Sequence, residues 1–174
     1  MNIVLCGFMG CGKTTVGRLL AQSLGYTFVD MDDYIEEKAG MKVSEIFAAQ
    51  GEAAFRRMET DACRELSAGS GLVIAAGGGA LVQPGNPEIL AAGGVIVLIE
   101  VSPETVARRL KDDHTRPLLA VPDKEAAIRE LMEKRLPIYR KAASVIVDGN
   151  RPAGAVAGEI RNACKFYIDK KADL

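Results

Sequence analysis

The sequence predicts an α/β domain in which a parallel sheet is covered by helices on both faces. Three observations predict it. Short, fully apolar runs recur along the chain, segments of helical period separate them, and glycine or proline marks most of the boundaries.

Asn2 to Cys6 is apolar and β-branched and stops at Gly7, as a buried strand does. From Lys13 to Leu24 the apolar residues Val16, Leu19, Leu20 and Leu24 fall at helical spacing, and Gly25 ends the helix. Thr27 to Val29 is a second strand that runs into Asp30, Met31 and Asp32. Helices are expected over Asp33–Ala39, Ser44–Gln50 and Glu52–Ser67, with Gly40 and Gly51 as punctuation. Leu72 to Ala76 is a third strand, leading directly into Gly77, Gly78 and Gly79. Val95 to Val101 is a fourth, after which Pro103 opens a helix to Leu110 at the position proline favours. Lys124 to Lys141 reads as a charged amphipathic helix bent at Pro137. Ser144 to Val147 is a fifth strand and Ala153 to Tyr167 a last helix, with a polar, frayed tail over 169–174. Strands apolar on both sides belong to a sheet buried on both faces.

At 174 residues, with 48% apolar and 26% charged residues, the chain suits one globular domain over 1–174. Its formal net charge of −1 argues against sequence-independent nucleic-acid binding, which needs a cationic surplus. No apolar run is long enough for a membrane span, and the N-terminus lacks the pattern of a signal peptide. The cysteines Cys6, Cys11, Cys63 and Cys164 show no metal-binding or disulfide spacing, so reduced thiols in a cytoplasmic protein are expected. No charge block or exposed heptad points to a protein partner, and a monomer is expected.

Residues 7 to 14 read Gly-Phe-Met-Gly-Cys-Gly-Lys-Thr, between a strand and a helix. That is the P-loop pattern in its proper context. Gly10, Cys11, Gly12, Lys13, Thr14 and Thr15 would cradle the phosphates of ATP through backbone amides and a helix N-terminus. Lys13 would reach the β- and γ-phosphates, and Thr14 would place its hydroxyl on Mg²⁺. Cys11 reads as a small residue where only a small one fits. The other reading is a thiol activated by the helix terminus and Lys13.

A P-loop names the nucleotide but not the acceptor. Asp30 and Asp32 stand just past the second strand, where ligands gather in open α/β sheets. One can face a metal and the other an acceptor hydroxyl, with a helix N-cap as the alternative role. Arg56 and Glu59 share a helix face at i,i+3 and can pair, while Phe55 and Met58 make that helix's buried stripe. An arginine so held can bind a substrate carboxylate with two parallel bonds, or form an ordinary surface ion pair. The three glycines permit close backbone approach to a ligand. The stretch 112–123 contains Arg116 and has no regular period. It reads as a connecting loop or as a lid. Arg135 lies in the run KRLPIYR.

Taken together and in order, GFMGCGKT, DMD, FRRME, GGG, RPLL and KRLPIYR resemble the shikimate kinase family, from about Asn2 to about Pro152. The resemblance implies a three-layer P-loop fold with a five-stranded parallel sheet of order 2-3-1-4-5 and a mobile lid. It also implies transfer of the ATP γ-phosphoryl group to the 3-hydroxyl of shikimate. On this pattern Lys13, Asp32 and Arg116 are catalytic, with Asp32 on the ring hydroxyls. Arg56 and Arg135 clamp the carboxylate, and Glu59 orients Arg56. Gly77, Gly78 and Gly79 line the acceptor pocket, and Phe47 and Phe55 pack beside the ring. Arg109 and Pro152 sandwich adenine. Arg116 closes over the nucleotide with the lid, and His114 is a solvated lid residue. Since Ala75 and Ala76 stand where many P-loop proteins keep an Asp, Asp30 is expected to supply the carboxylate near Mg²⁺. A gluconate-type kinase and an inert nucleotide-binding regulatory domain are the alternatives.

Overall fold

A computed structural model of the chain describes residues 1–113 and 119–172, with side chains as far as 168. Five parallel strands form one sheet: β1 (Asn2–Cys6), β2 (Thr27–Asp30), β3 (Leu72–Ala75), β4 (Gly94–Glu100) and β5 (Val145–Asp148). Their order is β2-β3-β1-β4-β5, as the family resemblance implies. β1 lies at the centre, with Ile3 opposite Val73 on one side and Val95 on the other. Its five residues are all buried, which explains an apolar run without alternation.

Alternate residues of the central strands feed two separate cores. On one face Ile3, Leu5, Val73, Val97 and Ile99 pack under α1 (Lys13–Leu24) and α8 (Ala153–Ala172). On the other face Val4, Cys6, Ile74, Ile96 and Leu98 pack against α2 (Met31–Ala39), α4 (Glu52–Ala68) and Tyr139 of α7 (Lys124–Ala142). The remaining helices are α3 (Val43–Gln50), α5 (Asn86–Gly93) and α6 (Pro103–Arg109). Among the described residues no helix is long and apolar enough to cross a membrane.

Several boundaries differ from expectation. α2 starts at Met31 rather than Asp33, because Asp30 caps it by accepting the Asp32 amide at 3.0 Å. Asp32 therefore sits in the first helical turn, where a carboxylate suits the helix dipole. A 3₁₀ turn (Ala80–Val82) and α5 fill a stretch that carries no expected element. The available signal was Pro87 in the first turn of α5, just after Gly85 at φ 86°. α7 continues through Pro137, which costs it one internal hydrogen bond but leaves residues on either side in register. α8 runs to Ala172, and residues 173–174 of the expected tail lie outside the described residues. Of the expected lid, residues 114–118, including His114 and Arg116, lie outside the described residues.

Asn2 fixes where β3 begins. Fully buried, its side chain donates to Leu66 O at 3.1 Å and Gly69 O at 3.0 Å, and accepts from the Leu72 amide at 3.1 Å. It thus ties the end of α4 and the start of β3 to the central strand. Asn2→Ala strands the buried Leu66 carbonyl and unties two part-buried groups, and we expect a loss of about 2 kcal/mol of stability. Urea unfolding measures it, and a loss below about 0.5 kcal/mol contradicts this account.

Candidate active site

The loop after β1 wraps tightly enough to need glycine. A Cβ on Gly7 would lie 2.6 Å from Ile99 O and 2.7 Å from Cys11 Sγ. Gly12, at φ 97°, turns the chain into α1, whose first turn carries Lys13, Thr14 and Thr15. Lys13 Nζ folds across the loop and donates to Gly7 O at 2.8 Å and Phe8 O at 3.3 Å. The Cys11 side chain is only 2% exposed and packs into the core beneath the loop. That burial fits a small residue in a tight place, while Lys13 Nζ stands 3.7 Å from the Cys11 Sγ, the neighbour that the other reading requires.

Thr14 Oγ1 donates to Asp30 Oδ2 at 3.2 Å. Asp30 thus takes the cap role: one carboxylate oxygen caps α2 and the other meets the P-loop hydroxyl. Beside the P-loop, Arg109 bridges two segments by donating to Gly10 O at 3.1 Å and Gly149 O at 3.0 Å. Gly149 belongs to the turn between β5 and α8, the turn that also holds the exposed Pro152. The structure thus brings the Arg109 and Pro152 segments to the same rim of the P-loop.

The acceptor side assembles around the three glycines after β3. A Cβ on Gly77 would lie 2.9 Å from Asp32 Oδ1 and 3.1 Å from Glu59 Oε1. One on Gly78 would meet Arg135 Nη1 at 3.4 Å, and one on Gly79 would collide with the Arg56 guanidinium. Four charged side chains from α2, α4 and α7 therefore crowd one short stretch of bare backbone. Arg56 Nη1 donates to Glu59 Oε2 at 2.7 Å, the pairing that their i,i+3 spacing predicts. Phe55 is buried and stacks on the half-exposed Phe47, with ring centroids 5.0 Å apart. Met58 packs at the edge of the same core.

Two partners escape a sequence reading. Glu52 accepts from Arg56 Nη2 at 2.9 Å, and its i,i+4 spacing from Arg56 was the available signal. Tyr139, one turn after Arg135, donates its hydroxyl to Gly78 O at 2.5 Å. Nothing in the chain announces that contact, which joins residues far apart in sequence.

With the geometry in view, comparison with known proteins is decisive. A family model described as shikimate kinase matches residues 9–165. The chain belongs to the shikimate kinase family. The shikimate kinase of Thiobacillus denitrificans is 47% identical over 160 residues, covering 92% of this chain and 86% of that protein. That of Aromatoleum aromaticum is 45% identical over 99% of both chains. Among solved structures, the shikimate kinase of Acinetobacter baumannii in complex with shikimate superposes with a TM-score of 0.88. It is 40% identical, covering 97% of this chain and 94% of that one. The Bacteroides thetaiotaomicron shikimate kinase gives a TM-score of 0.87 at 32% identity, over 95% and 98%. As a member of the family, the chain is an ATP-dependent kinase. These matches support neither a gluconate-type kinase nor an inert regulatory domain.

Glu59 is the buried carboxylate of the site. It is 1% exposed, and burial raises its pKa above the usual 4.5 while Arg56 acts the other way. A raised carboxyl pKa means that the folded state holds its proton more tightly than the unfolded state. Stability from this group is therefore lost as pH rises through the window above about 4.5. Glu59→Gln removes the titration, so its urea midpoint should be flatter across that window than that of the parent protein. Parallel profiles for the two proteins refute the assignment.

Proposed function

We propose that this protein transfers the γ-phosphoryl group of ATP to the 3-hydroxyl of shikimate, giving shikimate 3-phosphate and ADP. One observation carries the reading at the level of the site. Asp32, Glu59, Arg56 and Arg135 converge on the bare backbone of Gly77–Gly79, beside the Thr14–Asp30 contact of the phosphate cradle. A carboxylated polyol fits such a box: two guanidinium groups for its carboxylate, and an aspartate and backbone for its hydroxyls.

Each residue then has a physical task. Arg56, held by Glu59, and Arg135 grip the acceptor carboxylate. Phe47 and Phe55 pack along one side of the ring. Asp32 orients the attacking hydroxyl toward the cradle, so that the reaction becomes a matter of in-line positioning. Lys13, the loop amides and Arg116 balance the charge of the phosphoryl group. Gly10, Cys11, Gly12, Thr14 and Thr15 hold the phosphates, and Arg109 with Pro152 holds adenine.

Thr14 and Asp30 offer hard oxygen donors 3.2 Å apart, the donor chemistry that suits Mg²⁺. Among the described residues no group of three or more His, Cys, Asp or Glu could hold a metal ion. Most of the ion's ligands would therefore be nucleotide oxygens and water. Thr14 and Asp30 would hold the ion on the cradle side, and what it would supply there is neutralisation of phosphate charge. Four free, buried cysteines support a reducing, cytoplasmic setting, and a monomer suffices for a site built within one chain.

The test is ADP release by the purified protein with Mg-ATP, with and without shikimate. We expect shikimate-dependent turnover that Lys13→Ala lowers by roughly two orders of magnitude or more. Arg135→Ala should raise the shikimate KM by roughly tenfold or more, leaving the ATP KM little changed. Absence of shikimate-dependent ADP release in the parent protein overturns the acceptor assignment. Separately, Asp30→Asn should raise the Mg²⁺ concentration needed for half-maximal rate several-fold. An unchanged titration removes Asp30 from the metal site.

A further inference from the structure

Tyr139 is 1% exposed and belongs to the core between the sheet, α2 and α4, yet its hydroxyl leaves that core to meet the acceptor loop. Its ring is held by packing, so the hydroxyl has a fixed position. Gly78 O accepts that hydroxyl at 2.5 Å and Arg135 Nη1 at 3.4 Å. The first is a short, strong bond and the second is at the limit of one, so the phenol is the main anchor of this carbonyl. Burial pushes Tyr139 up to about 12, with Arg135 acting in the opposite direction, so the phenol remains a donor throughout the neutral range.

Two consequences follow from elementary geometry. The 78–79 peptide is trans, so fixing Gly78 O also fixes the Gly79 N–H on the opposite edge of the same plane. Gly79 is also the residue whose missing Cβ makes room for Arg56. The phenol oxygen also accepts from Arg135, so the hydroxyl holds the guanidinium as well as the carbonyl, and Arg135 has further donors for another acceptor.

We propose that Tyr139 is a positioning residue for the acceptor. Its hydroxyl holds the Gly78 carbonyl so that the Gly79 amide faces the acceptor, and it holds the Arg135 guanidinium in place to grip the acceptor carboxylate. The inference rests on the shikimate reading above. Without the hydroxyl, Gly78 O keeps only Arg135 as a donor, and the guanidinium is drawn toward the loop and away from the substrate.

Tyr139→Phe tests this by deleting one atom while keeping the ring. With shikimate as acceptor, we expect its KM to rise roughly tenfold, with kcat and the ATP KM changed by less than about twofold. In an Arg135→Ala background the same change should raise the shikimate KM by clearly less than in the parent, because one of its two effects passes through that arginine and only the Gly79 amide effect remains. Placing p-aminophenylalanine at the position restores a donor and should bring the KM back toward the parent value. The inference fails if Tyr139→Phe leaves the shikimate KM unchanged in a protein whose parent turns shikimate over. It fails equally if kcat, both KM values and the melting temperature all shift together, or if the effect is undiminished in the Arg135→Ala background. Those results describe a core residue alone. A parent protein inactive toward shikimate takes down the acceptor reading itself, and this inference with it.

Discussion

A carboxylate cannot be taken out of water without a cation and hydrogen bonds to go with it. Glu59, at 1% exposure, imposes that requirement on everything around the acceptor site. Arg56 meets it at 2.7 Å from the next turn of α4. The chain passing over the pair is crowded at two points, since a Cβ at Gly77 would lie 3.1 Å from the Glu59 carboxylate and one at Gly79 would strike Arg56. Gly77 and Gly79 thus leave room for the ion pair beneath them. Replacing the pair with apolar residues of similar volume could leave a fold as stable. What the pair adds is a guanidinium fixed in place, with Nη1 on the buried Glu59 and with Nε and Nη2 on the exposed Glu52.

Strand order brings the two halves of the site together. β1, β3 and β2 are neighbours, and Leu5 and Asp30 both lie opposite Ala75 in register. The P-loop, the three glycines and Asp30 therefore leave the sheet side by side, at one level and about 5 Å apart from strand to strand. Asp30 is the junction, since its carboxylate caps α2 on one side and accepts Thr14 on the other. Asp32, one residue into the helix, is turned toward Gly77 by the same capping geometry. A parallel sheet makes such crowding possible because every strand ends at the same edge. α7 completes the enclosure from beyond β4, with Arg135 and Tyr139 one turn apart on the side facing Gly78.

Much of this is legible in the chain because it is written in local chemistry. The P-loop needs glycine at fixed positions, and the sheet needs apolar runs that stop at glycine. The Arg56–Glu59 pair follows from helix periodicity alone. What escapes is what depends on distant segments. The Tyr139–Gly78 bond spans 61 positions, and no pattern within α7 distinguishes that tyrosine from any buried aromatic. The start of α2 differs from the sequence reading because Asp30 could be read as a metal-side carboxylate or as a cap, and its bond to the Asp32 amide makes it the cap. α5 went unread because its alanines and glycines give little amphipathic contrast, so its cap residues were the only signal.

Arg56 also shows how such a site can be ready for an anion without being blocked by one. Its guanidinium is shared between two carboxylates, Glu59 at 2.7 Å and Glu52 at 2.9 Å. The two partners differ in what it costs to lose them. Glu52 is 66% exposed, so water can take over its hydration with little penalty, as for other surface pairs. Glu59 has no such recourse, because parting it from Arg56 would leave a buried charge alone. An arriving carboxylate that competes for the fork therefore displaces Glu52 and leaves Glu59 in place. The inner glutamate sets the position of the arginine, and the outer one keeps its free edge solvated and occupied by a group that gives way.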